Sequence, residues 1–243
     1  MRLSSHCWAV TGLAYLPPWA VNSGFIAGEH TTLVVDTGAS AMAAATIHGY
    51  ATLARPGNCL LAIDTEKHFD HIGGNAYFRD RGIDVLGHRG CARSEEEFRA
   101  EVAGFNAAIA DPARRARGEA GAFYSGTRLA APNRFVSEDT LLELGGLEVR
   151  VLLTPGHTAT NLTVYVPAEG VVYSGDCLVN GYLPNLACGA GPEWRQWLDS
   201  LDRLERLAPE IVVPGHGPVA RGAEVRETIE RNRAVLDEAL SRA

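Results

Sequence analysis

Seven residues with side chains suited to metal binding occur in four short motifs. They are Glu66, His68, Asp70, His71, His157, Asp176 and His216. Three imidazoles and a carboxylate can bind one metal ion, whereas four imidazoles and three carboxylates suit two. Two metal ions about 3.5 to 4 Å apart lower the pKa of a bridging water and polarise a carbonyl or phosphoryl oxygen. The residue types therefore indicate hydrolysis at a two-metal site.

The spacing of the motifs gives each donor a place. In the first motif, Glu66-x-His68-x-Asp70-His71, alternate residues can project to one side while His71 points elsewhere, so that one segment supplies ligands to two metals. A carboxylate such as Asp176 can bridge the metals and offset part of their repulsion. A Pro-Gly pair precedes both His157 and His216 and predicts tight turns that hold each imidazole at a strand end.

Each motif follows a predicted strand, and helices separate the strands. The strands that lead into the motifs cover residues 59–65, 147–154, 170–176 and 210–215. Helices are predicted near residues 39–53, 75–81, 92–110, 192–207 and 224–241. Each half of the chain thus runs strands, helix, strand, helix, which predicts an α/β (α+β) fold of two similar halves packed sheet to sheet with helices outside.

Further segments complete this prediction. Short β-rich runs cover residues 7–16, 22–28 and 31–38, and residues 66–74 are expected to form a loop. The helix that follows Ser94 is amphipathic and has a hydroxyl cap and early carboxylates at its start. Residues 111–128 are polar and glycine-rich, which predicts a mobile flap, and the region 91–133 is expected to cover the cleft.

Composition limits the classes of function. The 243 residues are 46% apolar and 21% charged, which is typical of a globular protein, and we expect a single domain over 1–243 because the motifs span both halves and no linker divides them. The net charge of −7, with no basic stripe, disfavours nucleic acid and anionic membrane as partners. The expected partner is a small-molecule substrate, and the sequence indicates no oligomeric state.

Location is predicted from the same composition. No apolar run approaches the roughly 20 residues that cross a bilayer, and the first residues lack the pattern of a secretory signal. Five cysteines, an odd number without a CxxC pair, favour reduced thiols. These features predict a soluble cytoplasmic protein.

The motifs ExHxDHxGG, TPGHT, SGD and PGHG resemble those of the metallo-β-lactamase superfamily, whose usual first motif is HxHxDH. The resemblance extends from about Asn22 to Gly217 and implies a four-layer αββα sandwich. It implies that the first metal is bound by Glu66, His68 and His157, the second by Asp70, His71 and His216, with Asp176 bridging. Asp70 would also be the catalytic residue that orients a nucleophilic hydroxide.

Two departures from the pattern concern metal and substrate. Glu66 stands where histidine is usual and makes the site harder and more anionic, so that two Zn²⁺ ions are the first choice while iron or manganese remains an alternative. Stretches around the motifs look like the zinc β-lactamases, as does Asn185 nine residues before Trp194. However, Val179 occupies the position where those enzymes have a lysine that holds the substrate carboxylate, which argues against antibiotic hydrolysis as the native task.

These features support one leading function and two alternatives. The leading hypothesis is a hydrolase that uses a metal-bridging hydroxide on a small ester, thioester, lactone or amide, with β-lactams as a side activity. The first alternative is an iron-dependent oxidoreductase or dioxygenase on the same fold. The second is a binding module with a degraded site, which only the loss of the first histidine supports. Separately, Glu66 could point outward and leave a metal site with His68 and His157 as its only imidazoles.

Several single residues keep two interpretations. Cys177 could replace Asp176 as a ligand, although strand alternation favours a core position for it. Asn185 is either a donor that stabilises an oxyanion or a turn residue. Four aromatic residues, which pack in the core or line a substrate wall, are Phe98, Phe105, Phe123 and Tyr124. Four histidines, taken as surface or core residues outside the site, are His6, His30, His48 and His88.

Overall fold

The structure, a computed structural model, describes residues 1–13 and 20–242. Of the first β-rich run, predicted over 7–16, residues Cys7–Val10 form strand β1. The part of that run from residue 14 onward lies outside the described residues.

The first sheet contains six strands in chain order. They are β1, β2 (Ser23–Ala27), β3 (Thr31–Val35), β4 (Cys59–Ile63), β5 (Asp84–Gly87) and β6 (Arg134–Phe135). The first three strands are antiparallel, and β3 to β6 run parallel. The parallel strands β3 and β4 therefore end at the same edge of the sheet, where the chain continues into the first motif.

The second sheet also contains six strands. They are β7 (Thr140–Glu143), β8 (Glu148–Leu153), β9 (Leu162–Val166), β10 (Val171–Val179), β11 (Ile211–His216) and β12 (Ala220–Arg221), with the spatial order β12-β11-β10-β9-β8-β7. The pair β10 and β11 is parallel, and the other neighbours are antiparallel. The motifs of His157, Asp176 and His216 lie in strands of this sheet or directly after one of them.

Helices cover the outer faces of both sheets. They are α1 (Ala41–Ala54), α2 (Phe69–Ile72), α3 (Asn75–Arg79), α4 (Glu95–Ala107), α5 (Pro112–Ala116), α6 (Glu119–Tyr124), α7 (Gly191–Arg206) and α8 (Ala223–Arg242). Helices α1 and α3 pack on the first sheet, and α7 and α8 pack on the second.

A hydrophobic core fills the space between the two sheets. Alternation along β3 shows how the sequence builds it: Leu33 and Val35 face the second sheet, whereas Val34 faces helix α1. On the other side, Val149 and Val164 belong to the same central core. The layers are therefore helix, sheet, sheet and helix, which confirms the predicted αββα sandwich.

Local structure differs from the prediction in two segments. The predicted loop 66–74 contains the one-turn helix α2, which turns the backbone so that consecutive residues point in different directions. The predicted flap 111–128 contains α5 and α6, and the latter buries Ala120 and Tyr124 against Phe69 and Phe98. Composition missed α6 because apolar contacts with α4 stabilise it more than its own sequence does. Helix α5 has a local signal that the prediction overlooked, the cap at Asp111 followed by Pro112.

Within the described part of the chain, no helix combines the length and the apolar composition that a membrane crossing requires.

Candidate metal centre

The four motifs meet at one edge of the sandwich, where strands from both sheets end. Glu66 follows β4 and His157 follows β8, while His216 is the last residue of β11. Asp176 lies inside β10 rather than at its end, in a stretch where the pairing register with β11 shifts on both sides of Gly175. Such a bulge re-aims the side chains of a strand, and here it directs Asp176 toward the histidines.

The structure brings all seven predicted residues together. Oδ1 of Asp176 lies 3.3 Å from Nε2 of both His71 and His216, and its Oδ2 lies 3.4 Å from Nε2 of His157. Asp176 therefore faces donor atoms from both ligand sets that the sequence predicts. Nε2 of His216 is also 3.2 Å from Oδ2 of Asp70.

Several of these atoms are buried without a hydrogen bond. Among the described residues, Nε2 of His71 and Oδ1 of Asp176 are inaccessible to solvent and have no hydrogen-bond partner, although they lie 3.3 Å apart. Buried polar atoms are normally paired, because leaving one unsatisfied costs about 1 to 3 kcal/mol. The ligand atoms of Asp70, His71 and His216 all lie within 4.8 Å of one another, so a metal ion fits as the missing partner. The donor set of imidazoles and carboxylates fits such an ion as well.

Glu66 points into this site. Its side chain is fully buried, and Oε1 lies 2.7 Å from Nδ1 of His68 and 3.4 Å from Nε2 of His71. Burial raises the pKa of Glu66, but the neighbouring His68 and His71 lower it below its usual value. The outward orientation that the sequence left open for Glu66 is therefore wrong.

Charge balance within the site is achieved by the pairing of carboxylates with imidazoles. Burial lowers the pKa of His68, yet the Glu66 carboxylate raises it to about 11, and Asp176 does the same for His216. Burial raises the pKa of Asp176, but His216 and His71 hold it well below its usual range. Without a cation the carboxylates thus favour protonated histidines, and a metal would replace these protons.

One residue that the sequence analysis missed holds His71 in place. Oδ2 of Asp36 lies 2.9 Å from Nδ1 of His71, and both side chains are buried. Thr65 donates its backbone N–H and its hydroxyl to the same carboxylate, at 2.7 and 2.8 Å. The VVDTG run at the end of β3 was a detectable signal, because an aspartate that ends a strand next to the motif strand lies beside it.

Cys188 is a second neighbour that the sequence analysis missed. Its Sγ lies 3.5 Å from Nε2 of His68, whose Nδ1 faces Glu66 and lies 3.1 Å from Nε2 of His157. The thiol is exposed and sits in a 3₁₀ turn, Leu186–Cys188. It was detectable only as one of five scattered cysteines.

Asn185 has the turn role, and its place in the cavity lining leaves the donor role a prediction. Its Oδ1 accepts the backbone N–H of Ala187 and so starts the 3₁₀ turn, which is the turn role. Its side chain is exposed and lines the cavity, and its backbone oxygen lies 3.2 Å from Nδ1 of His157. Trp197 packs its ring edge to face with that histidine, at 5.3 Å between centroids.

The remaining candidates lie away from the metal centre. Cys177 is fully buried in the core under α7 and α8, so alternation sends it to the face opposite Asp176. The histidines outside the motifs have other contacts: His6 pairs with Glu169, His48 contacts Tyr77, and His88 accepts the N–H of Gly90.

A cavity of about 690 Å³ opens onto the metal centre. Its floor includes His68, Asp70, His157, Asp176 and His216. One wall comes from α4 through Glu101, Gly104 and Phe105, and the other from Val179, Tyr182, Leu183 and Asn185. Phe105 thus lines the substrate space, whereas Phe98 and Tyr124 are buried in the cluster behind it.

Comparisons with known proteins agree with this geometry. The family model described as the metallo-beta-lactamase superfamily matches residues 16–216. Among solved structures, a metallo-beta-lactamase from Pontibacter korlensis superposes with a TM-score of 0.72 at 19% identity, covering 98% of this chain and 97% of that one. The metallo-beta-lactamase FIM-1 from Pseudomonas aeruginosa, in its mono-zinc form, gives 0.69 at 20% identity and covers 98% and 94%. At these identities the structures show the fold.

Several curated relatives are named for a different reaction from that of the metallo-beta-lactamases. A hydroxyacylglutathione hydrolase from Thermosynechococcus vestitus is 26% identical over 190 residues, which cover 77% of this chain and 62% of the relative. The chain spans less than two thirds of the length of this and the other first relatives that it matches.

Proposed function

The chain belongs to the metallo-beta-lactamase superfamily, and on that premise we propose that it is a two-metal hydrolase of a small thioester, ester, lactone or amide. The observation that carries the proposal is the convergence of seven donor side chains on one site, in which Nε2 of His71 and Oδ1 of Asp176 are buried and have no hydrogen-bond partner among the described residues. Thioesters come first in this series because the hydroxyacylglutathione hydrolases are among the relatives. Zinc is the first choice of metal. We place the enzyme in the cytoplasm, where its five free thiols would stay reduced.

Two ligand sets support a count of two ions. Glu66, His68 and His157 would hold one, and Asp70, His71 and His216 the other. The position of Asp176 supports a bridging role for its carboxylate, because its two oxygens lie within 3.4 Å of histidines of both sets. Bound there, the ions would supply an activated water and a Lewis acid for the substrate carbonyl.

The residues around this centre would bind and orient the reactants. Asp70 is 8% exposed on the cavity floor, and its carboxylate can accept a hydrogen bond from the attacking water. The Nδ2 of Asn185 can donate to the substrate carbonyl oxygen, because the other atom of its amide is held by Ala187. Val179 offers an apolar contact in the same wall, so that β-lactams would be at most side substrates.

Metal content and hydrolysis together test the proposal. We expect about two transition-metal ions per chain in protein purified without chelator, loss of thioester hydrolysis on chelation, and recovery with added Zn²⁺ or Mn²⁺. Asp176→Ala should lose metal as well as activity. His30→Gln is the matched control, since this histidine is exposed and distant from the site motifs. Protein without any transition metal, and without activity after metal addition, contradicts the proposal.

A second candidate function is iron-dependent oxidation, which the buried Glu66 oxygen among the histidines favours. Iron in the purified protein, together with oxygen consumption on a thiol substrate, would support it. Zinc in both positions and no oxygen consumption would exclude it.

A further inference from the structure

The substrate cavity has a carboxylate outside the metal centre, on the inner face of α4. Glu101 is followed three and four residues later by Gly104 and Phe105, and this spacing places all three on one face of the helix. No atom lies within 4 Å of where a Cβ on Gly104 would be, so the space beside Glu101 is open to a substrate.

One oxygen of this carboxylate has a partner and the other has none. Oε1 of Glu101 accepts from Nη1 of Arg93 at 2.6 Å, whereas Oε2 is buried and lacks a hydrogen-bond partner among the described residues. The side chain as a whole is 28% exposed. Its burial raises the pKa of Glu101, although Arg93 opposes this shift. A carboxylate oxygen that is withdrawn from water gains strongly from a donor or a cation.

Three carboxylates line the cavity together with histidines of the metal centre. Among the described residues that line it, Asp70, Asp176 and Glu101 are acidic, and none is lysine or arginine. Bound metal ions would offset the charge of Asp70 and Asp176, but Glu101 lies outside the metal centre. Val179, Tyr182 and Leu183 add apolar and aromatic side chains to the same lining. Charges in such a partly desolvated cleft act more strongly than in water.

We infer that Glu101 determines specificity: the cavity favours thioester or ester substrates that carry an ammonium group beside the scissile bond, and disfavours those that carry carboxylates. The inference rests on the proposed hydrolase function and names its substrate class. Glutathione carries two carboxylates, so glutathione thioesters would be poor substrates of this chain. It would then differ in specificity from the relatives named for such a substrate.

Three thioesters with one acyl group test the inference. Acetylthiocholine is cationic, S-acetyl-N-acetylcysteamine is neutral, and S-acetylglutathione is anionic. In each, water adds to the acetyl carbon, the C–S bond breaks, and the products are acetate and a thiol. The acyl group and the bond that breaks are therefore the same, and the leaving groups differ in charge. We expect kcat/KM to fall in the order cationic, neutral, anionic, with about tenfold or more between the extremes.

Variants on the same helix separate a local effect from net charge. Glu101→Gln should reduce the ratio between cationic and anionic substrates by about tenfold, whereas Glu101→Asp, which keeps the charge, should preserve the order of the substrates. Glu96→Gln removes the same charge from an exposed position on α4 that does not line the cavity, and should leave the ratio unchanged. Circular dichroism and thermal unfolding would confirm that each variant is folded.

Binding distinguishes failure of this inference from failure of the proposed function. The S-ethyl thioethers of thiocholine, N-acetylcysteamine and glutathione cannot be hydrolysed, and calorimetry gives their affinities without turnover. If no thioester is cleaved, but the affinities of the thioethers fall in the order cationic, neutral, anionic and depend on Glu101, the hydrolase proposal fails and the charge preference stands. The inference is wrong if both kcat/KM and affinity are equal for the three charge types or fall in the reverse order. It is also wrong if Glu101→Gln leaves the ratio between cationic and anionic substrates unchanged.

Discussion

Oδ2 of Asp36 lies 2.9 Å from Nδ1 of His71, and this contact turns the opposite ring nitrogen, Nε2, toward Asp176 and Glu66. An ionised carboxylate only accepts hydrogen bonds, so it fixes the ring proton on Nδ1 and leaves Nε2 free to bind a metal. Asp36 itself has a positive φ of 59°, a conformation that aspartate and asparagine tolerate better than most residues. The contact thus joins backbone geometry at the end of β3 to the chemistry of His71.

Replacing Asp36 with asparagine should weaken metal binding by about 10- to 100-fold. The amide N–H₂ of asparagine would donate to Nδ1 and move the ring proton to Nε2, the atom that faces the metal centre. Metal titration of the stripped protein, monitored by calorimetry, measures the change. Asp36→Ala should be worse, because it also loses both Thr65 hydrogen bonds and strains the backbone. Unchanged affinity in Asp36→Asn would show that the carboxylate does not set the tautomer.

Gly215→Ala should abolish metal binding and lower the melting temperature. A Cβ at this position would lie 1.9 Å from Oδ1 of Asp176 and 2.8 Å from the carbonyl carbon of Gly175. Either Asp176 leaves its position or β10 and β11 separate. Gly49→Ala is the control, because no atom lies within 4 Å of its added Cβ and alanine favours the helix by about 0.5 to 1 kcal/mol. Metal analysis and thermal unfolding compare the two variants, and a Gly215→Ala protein with full metal content would contradict the prediction.

Substitutions at Glu66 should change the identity of the bound metal. Glu66→His provides a third imidazole in its ligand set. The zinc content should therefore stay the same, while the content of any iron or manganese should decrease. Glu66→Gln removes the charge and should lower the affinity of that set by about tenfold or more. Glu29→Gln, at an exposed glutamate, is the control. Metal analysis by mass spectrometry after growth in mixed metals measures the outcome, and identical metal content in all three variants would exclude Glu66 as a ligand.

The ion pair between Asp139 and Arg203 should make stability depend on pH. The hydrogen bond from Arg203 lowers the pKa of Asp139, with help from the backbone N–H of Leu153 at 3.0 Å. Because the folded-state pKa lies below the unfolded value of about 3.9, the pair stabilises the fold above that value and loses its effect as the pH falls through the folded-state pKa.

Asp139→Asn should therefore lower the free energy of unfolding at neutral pH, by about 0.5 to 1 kcal/mol for a pair this exposed. The difference from the parent protein should vanish in acid, where Asp139 is protonated in both states. Urea unfolding at a series of pH values measures this convergence. Asp199→Asn, at an exposed position of α7, controls for the loss of a negative charge. A difference that persists at acid pH would mean that packing, not charge, is responsible.

The sequence predicted the fold where its patterns are strong. Alternating apolar residues, Pro-Gly turns and the cap at Ser94 placed the main strands and helices, and the Ser94–Glu97 capping box is present. The short strands β6 and β12 and the helix α6 were not predicted, because tertiary contacts rather than local propensity stabilise these elements of two to six residues. Helix α5 was not predicted either, although Asp111 and Pro112 are a local start signal.

For the site, the sequence by itself determined which donor atoms the chain offers and that they follow strands. Residue type and spacing suffice for this, since parallel strand ends share an edge. Only the tertiary structure decided which way Glu66 points, that the bulge at Gly175 aims Asp176 at three histidines, and that Asp36 and Glu101 stand beside them. Orientation and neighbourhood depend on contacts of particular side chains, some of them far apart in the chain, such as Asp36 and His71 at a separation of 35 positions. Such contacts leave no periodic pattern in a single sequence.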